Sequence, residues 1–160
     1  MPVTYDNVWF NYILDPIRDF FITEYTYGKI YVSPSILHKD PFSIRIWGNS
    51  TETISYNQSE WVKRYSNEIS LYEIETNPDE AYYKQFYNDI ERIYQLLFTN
   101  AKTKSTSVTG SGNNSSSVTH VWIDGVCEDF TINEYEGNEE EIDGLNVCKF
   151  IFNCKIMRED

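Results

Sequence analysis

The sequence has few of the residues on which small enzymes and metal sites commonly depend. It contains only two histidines, His38 and His120, and neither has a companion ligand at metal-binding spacing. A nucleophile elbow is missing, and the glycines at 110 and 112 are not followed by the Gly-Lys-Ser/Thr step of a phosphate-binding loop. These absences argue against histidine-based catalysis and against nucleotide binding.

Long apolar runs and paired cysteines are also missing. No stretch approaches the roughly 18 to 20 apolar residues of a membrane span, and MPVTYDNVWF lacks the order of a signal peptide. We therefore expect a cytosolic setting with no membrane partner. Cys127, Cys148 and Cys154 form no CxxC, and the last two would lie about 20 Å apart on one extended strand. They are predicted to be small buried hydrophobes.

Positive charge is scarce, and negative charge is unevenly distributed. The chain has 13 Lys and Arg against 25 Asp and Glu, a net charge of -12 that disfavours binding to phosphates. Residues 120–160 alone hold eleven acids against three bases. An aromatic content of 16 % excludes a disordered chain, and 160 residues suit one domain over 1–160.

The element with the clearest start signal is a helix that begins near residue 78. Asn77 is predicted to cap it, Pro78 suits its first position, and Glu80 completes a capping box. Apolar residues then recur every three or four positions, so one face is predicted to pack on a sheet: Tyr83, Phe86, Ile90, Ile93, Tyr94 and Leu97. Polar residues fall on the other side of the helix: Lys84, Asp89, Glu91 and Gln95.

The N-terminal half predicts helix and then strands. Helical spacing continues on both sides of Asp15-Pro16, which indicates either a kink or a second helix capped by Asp15. KIYVSPS is typical of a short edge strand stopped by Pro34, and PFSIRIWGN and WVKRYSNEISLYEI each alternate as half-buried strands do. The polar stretch GNSTETISYNQSE between them predicts a β-hairpin with a long connection.

The C-terminal third combines a polar segment with a long hairpin. Residues 101–119 are nearly devoid of apolar side chains and predict a mobile loop. Residues 120–158 are predicted to form an acidic β-hairpin whose last strand is longer than most, so that it extends past its own domain or bends sharply. Its turn concentrates four acids: Glu139, Glu140, Glu141 and Asp143.

Together these elements predict an α+β fold, a mainly antiparallel sheet with an N-terminal helix and one long helix packed on it, plus the long C-terminal hairpin. The order resembles that of the tail-terminator, or tail-completion, proteins of tailed bacteriophages and related neck proteins of the head-to-tail junction. The resemblance is carried by IYVSPS, FSIRIWG, ISLYEIETNPDEAYYKQFYNDIERIYQLLF and GLNVCKFIFNCKIMRED. It is one of layout and covers the chain except residues 101–119.

The resemblance implies a structural virion protein with no catalytic residue, cofactor or metal. Such a protein forms a ring, generally of six copies, that is assembled in the host cytoplasm, ends growth of the tail tube and contacts the tail tube protein and a head-completion or neck protein. Genomic DNA would pass through without specific binding. If Glu139, Glu140, Glu141 and Asp143 line that ring, their charge would repel the DNA phosphates.

Three alternatives remain open from the sequence. A different head-to-tail connector, such as a neck or stopper protein, would have the same general character. An acidic mimic of DNA would spread its acids along one rigid face, whereas here they gather in a turn and near the C-terminus. A small metal-dependent enzyme would need fixed, partly desolvated carboxylates, and the acidic turn is expected to be solvated.

Overall fold

The computed structural model describes residues 7–33, 40–58, 60–102, 104–109, 113, 116–128, 131–132 and 143–159. They form an α+β fold with helices on one face of an open, mostly antiparallel sheet, as the sequence predicted. In chain order the elements are a π-helical segment Phe10–Leu14, α1 Asp15–Glu24, β1 Lys29–Tyr31, β2 Phe42–Tyr56, β3 Trp61–Ile74, α2 Glu80–Thr99, β4 Lys104–Thr109, β5 Ser116–Cys127, β6 Thr131–Ile132 and β7 Leu145–Glu159.

The N-terminal helix runs through Asp15-Pro16 without a break. The Asp15 N–H donates to the Phe10 carbonyl, the wide spacing of a π-turn, so Asp15 does not cap a separate helix. Pro16 has no N–H to offer the preceding turn, where the Tyr12 carbonyl accepts a hydrogen bond from the indole of Trp122. The wide turn thus accommodates the proline and fixes the helix to β5.

The sheet has the strand order β1-β2-β3-β7-β5-β4, with β6 beside β7. β1 is a parallel edge strand and pairs only with residues 43–45 of β2; it ends at Tyr31 and does not extend to Pro34. β2 and β3 are antiparallel over almost their whole length.

The predicted long polar connection between β2 and β3 is wrong. β2 continues to Tyr56, and the turn is confined to residues 57–60, where the Asn57 N–H donates to the Glu60 carbonyl and the Glu60 N–H to the Asn57 side chain. Thr51, Thr53, Ile54 and Tyr56 favour extended backbone, and cross-strand pairing with β3 satisfies that backbone without burial. Polarity alone therefore misidentified a strand as loop.

β7 is a central strand. It pairs with residues 63–74 of β3 on one side and with β5 and β6 on the other side. Its length is used inside its own sheet. On one face of β7, alternate residues are fully buried, as predicted: Cys148, Phe150, Phe152, Cys154 and Ile156.

Residues 101–119 are not a loop throughout. β4 occupies Lys104–Thr109 and pairs antiparallel with the first half of β5, which begins at Ser116. The predicted hairpin over 120–158 corresponds to β5 and β7, which pair antiparallel, although β5 starts four residues earlier. Most of its acidic turn lies outside the described residues.

α2 packs on the sheet through Phe86, Ile90, Ile93 and Leu97, which lie in the main core. Its cap differs from the prediction: the Asp79 side chain accepts from the Tyr82 N–H, while Asn77 lies two residues before it. Asp79 has the extended backbone of a capping residue and stands directly before the first helical residue. Pro78 therefore precedes the helix.

The opposite face of the sheet carries a smaller apolar cluster formed by Tyr72, Ile74, Leu145 and Val147. Arg45 is almost fully buried beside it, with its guanidinium 5.0 Å and 5.2 Å from the ring centroids of Tyr31 and Tyr72. The two aromatic faces stabilise the charge of the Arg45 guanidinium, which is buried away from water.

Candidate assembly site

The outer edge of β2 is the longest free sheet edge among the described residues. β1 covers residues 43–45, and no described strand pairs with the outer side of residues 46–56. Soluble proteins usually protect such edges with Pro or Lys, and residues 46–56 contain neither. Within the described part of the chain, the outward N–H and C=O groups of this edge therefore have no partner strand.

The pairing of β2 with β3 has two register shifts, one between Gly48 and Ser50 and one between Thr53 and Ser55. Bulges shorten the regular stretch of an edge and redirect the side chain at the irregular position. Here they leave residues 50–53 regular and place Ile54 outside the ladder, where its side chain is 44 % exposed.

The distal part of the β2–β3 hairpin, residues 49–62, is here called the arm. Its β2 half is exposed at every position, and at its end Tyr56 is 81 % exposed. Glu52 of the arm and Arg64 of β3 face each other at 2.6 Å, and the Lys63 ammonium lies 5.8 Å from the Trp61 ring centroid. These contacts leave Ile54 and Tyr56 as the exposed apolar tip of the arm.

A second exposed apolar surface follows α2. Tyr83, Tyr87, Tyr94 and Phe98 are separated by four, seven and four residues, which places them on one stripe of the helix. Their exposed fractions are 38 %, 53 %, 39 % and 77 %. We call this row the α2 stripe. It adjoins the buried face and explains why Tyr83 and Tyr94, predicted to be core residues, are partly exposed.

The α2 stripe ends at a cavity of about 240 Å³ between the helix and β5. Tyr94, Leu97 and Phe98 line it from α2, and residues 125–127 line it from β5. Gly125 lies close to the chain that leaves the helix, since a side-chain carbon there would be 2.5 Å from the Ala101 carbonyl oxygen. An aromatic stripe leading into an apolar recess is typical of a protein-binding surface.

The most unusual electrostatic feature is a buried pair of carboxyl groups. Glu73, at the end of β3, and Asp89, in the middle of α2, are 7 % and 1 % exposed and share a hydrogen bond. Burial, reinforced by Asp89, raises the pKa of Glu73 to about 8, and burial also raises the pKa of Asp89. The pair therefore retains a proton at neutral pH.

Further contacts hold Asp89 in place. It accepts from the Gln85 side chain at 3.0 Å and from the Tyr27 hydroxyl at 3.5 Å, while Tyr25 donates to its backbone carbonyl at 3.2 Å. Arg92 lies over the Tyr25 ring at 4.9 Å and pairs with Glu24. A pair so enclosed can store a proton, but its low exposure keeps a substrate away from it in this conformation.

The acids predicted to form a site are only partly described. Glu139, Glu140 and Glu141 lie outside the described residues, as does His38. Asp143 is exposed in the turn before β7, next to Gly144, whose φ of +75° favours glycine. His120 belongs to β5. Cys148 and Cys154 are buried and form no disulfide, as predicted. Cys127 is half-buried at the cavity and also forms no disulfide.

Within the described ranges, no group of three or more His, Cys, Asp or Glu side chains could hold a metal ion. None of the described helices is long and apolar enough to cross a membrane. No protein-family model matches the chain, and no curated protein sequence shows significant similarity to it.

Sequence reasoning missed the free edge, the α2 stripe and the acid pair. The stripe had a signal, because four aromatic residues recur at helical spacing beside the core positions. The acid pair had none: Asp89 was assigned to the solvated side of α2, and its burial depends on where β3 ends.

Proposed function

We propose that this chain is a structural virion protein that forms a ring at the top of a bacteriophage tail, ends polymerisation of the tail tube and joins the tail to the head. Its partners are other copies of itself, the tail tube protein and a head-completion or neck protein. Genomic DNA passes through the ring without specific binding.

The observation that supports self-association is the outer edge of β2 over residues 46–56, with which no described strand pairs. The other end of the strand order is β4, which pairs on one side only among the described strands. Two unlike edges on one chain favour a head-to-tail contact, and head-to-tail contacts that close produce a ring. Assignment of that ring to a phage tail depends on the resemblance of layout described above.

The charge of the chain is compatible with passage of DNA. At a net charge of -12, a ring of such subunits repels phosphates. In this proposal Glu139, Glu140, Glu141 and Asp143 line the lumen. Replacing all four with Gln or Asn should preserve assembly and alter genome passage, measured as infectivity of complemented particles. Unchanged infectivity would contradict the lumen assignment and leave the ring proposal intact.

Negative-stain electron microscopy of the purified chain tests the ring directly. We expect particles with six-fold symmetry and a central hole. A different closed ring would favour another connector of the head-to-tail junction. Particles no larger than a monomer or dimer at high protein concentration, or hydrolytic turnover abolished by chelation, would overturn the proposal.

A further inference from the structure

The chain exposes two apolar surfaces that do not reach each other within one molecule. The arm tip lies at the far end of β2, whereas the cavity at the end of the α2 stripe is lined by residues 125–127 of β5. Strand register places Val126 level with Asn153, Ser66 and Ser50. Tyr56 is thus separated from Val126 of the same molecule by about 14 Å across the sheet and by about 20 Å along the strands.

We propose that the cavity and the adjoining α2 stripe bind the arm tip of a second copy of this chain, with Ile54 and Tyr56 as the inserted side chains. This inference rests on the proposed self-association and names the surfaces that make the contact. Because donor and acceptor surfaces are different parts of the chain, each copy both offers a tip and receives one.

Backbone pairing at the sheet edges brings these surfaces together. If residues 46–51 of β2 in one copy pair antiparallel with β4 of the next, with Ser50 opposite Ser105, the arm continues past the start of β4 at Lys104. Because Lys104 lies level with Val121 of β5, Tyr56 then lies about level with Val126 and about 10 Å from it across the sheet, which is two strand spacings. The tip therefore lies beside Ala101, whose carbonyl approaches Gly125 in the cavity lining. The bulge that places Ile54 outside the β2–β3 ladder leaves this side chain available for docking.

The two surfaces also match in chemical character. Tyr56 and Ile54 are the exposed apolar groups of the arm, and the acceptor presents Tyr94, Phe98 and Val126, all substantially exposed. Tyrosine and phenylalanine provide large contact area with few rotatable bonds, which makes them effective centres of an interface. Since every copy carries net negative charge, salt should strengthen the contact by screening repulsion.

Disulfide trapping tests this contact. Chains with Tyr56→Cys and chains with Phe98→Cys are mixed in equal amounts, oxidised and analysed by non-reducing electrophoresis and peptide mass spectrometry. We expect a mixed dimer linked between positions 56 and 98. A link from position 56 to the native Cys127, which lines the cavity but whose pKa burial raises to about 12, would also support the proposal.

Two controls make the trapping specific. Asn88 is exposed on α2 but lies on a different side from the stripe, so Tyr56→Cys mixed with Asn88→Cys should give no mixed dimer. Exposed cysteines also link slowly by random collision, so the comparison is of rates: a 56-to-56 dimer that forms as fast as the 56-to-98 link would show that two arms meet symmetrically, and that result would overturn the proposal.

The affinity of the wild-type chain separates failure of this contact from failure of self-association. Ile54→Ser with Tyr56→Ser should raise the dissociation constant of self-association at least about tenfold, while Ser55→Ala, on the same arm, should not. A wild-type chain that stays monomeric at every concentration and salt level overturns the proposed function. A chain that associates normally with the altered tip, and gives no 56-to-98 link, overturns this inference alone.

Discussion

The two halves of the β2–β3 hairpin are both antiparallel pairs, but both register shifts lie on the distal side and the surroundings of the halves differ. In the proximal half, Phe42, Ile44 and Ile46 are buried beneath the helices, together with Ile69 and Leu71 from β3. In the distal half, every β2 residue from 49 to 56 is exposed. Burial therefore stabilises the proximal half, whereas the distal half is free to take part in assembly.

The largest expected effect separates folding from assembly. Phe150→Ala removes a fully buried ring opposite Ile69 and should lower the free energy of unfolding by about 3–5 kcal/mol. Tyr56→Ala, at the exposed arm tip, should change it by less than about 0.5 kcal/mol. Urea unfolding monitored by circular dichroism measures both. A similar loss for the two variants would show that the arm is part of the folding core.

A smaller effect concerns the acid pair at the end of the proximal half. The pKa of Glu73 is raised from 4.5 to about 8, so the folded chain binds more protons than the unfolded chain between those values. The contribution of Glu73 to the free energy of unfolding should therefore be greatest below about pH 4.5 and should fall as the pH rises toward 8. Glu73→Gln keeps a donor for Asp89 and should stabilise the fold by on the order of 2 kcal/mol at pH 8.

The control for this prediction is Glu91→Gln, which removes the same charge from an exposed position of α2. Unfolding curves at pH 5 and pH 8 should show a pH-dependent gain for Glu73→Gln and little change for Glu91→Gln. A gain for Glu73→Gln that is equal at both pH values would contradict a titrating buried pair.

The smallest effect concerns the base of the arm. The Glu52–Arg64 pair is exposed, with side-chain exposures of 63 % and 40 %, so a double-mutant cycle with Glu52→Gln and Arg64→Gln should give a coupling energy below about 1 kcal/mol. A clearly larger coupling energy would show that the distal half contributes to folding. Thermal unfolding in low and high salt provides the measurement.

Sequence patterns predicted the elements whose periodicity reflects burial. α2 and the alternating residues of β7 were predicted correctly, because apolar spacing follows directly from packing on one face. The helix on both sides of Asp15-Pro16 was also confirmed, since the residues around it keep helical spacing.

Elements stabilised by pairing alone could not be predicted in this way. The distal part of β2 and the strand β4 are rich in Ser and Thr and resemble loops in composition, yet a neighbouring strand satisfies their backbone. The α2 cap was misplaced by two residues because Asn77 and Asp79 both have suitable side chains. Asp89 was misassigned because its partner Glu73 lies sixteen positions earlier, on another element.

The central claim is that the distal hairpin serves assembly. Multi-angle light scattering after size exclusion, over a range of protein and salt concentrations, compares the wild-type chain with the Ile54→Ser, Tyr56→Ser variant. We expect a closed multimer of defined mass for the wild type, favoured by salt, and a folded variant whose association is at least about tenfold weaker. A variant with the same multimer mass and affinity would contradict the role of the arm tip, and a wild type that is monomeric under all conditions would contradict the role of the hairpin in assembly.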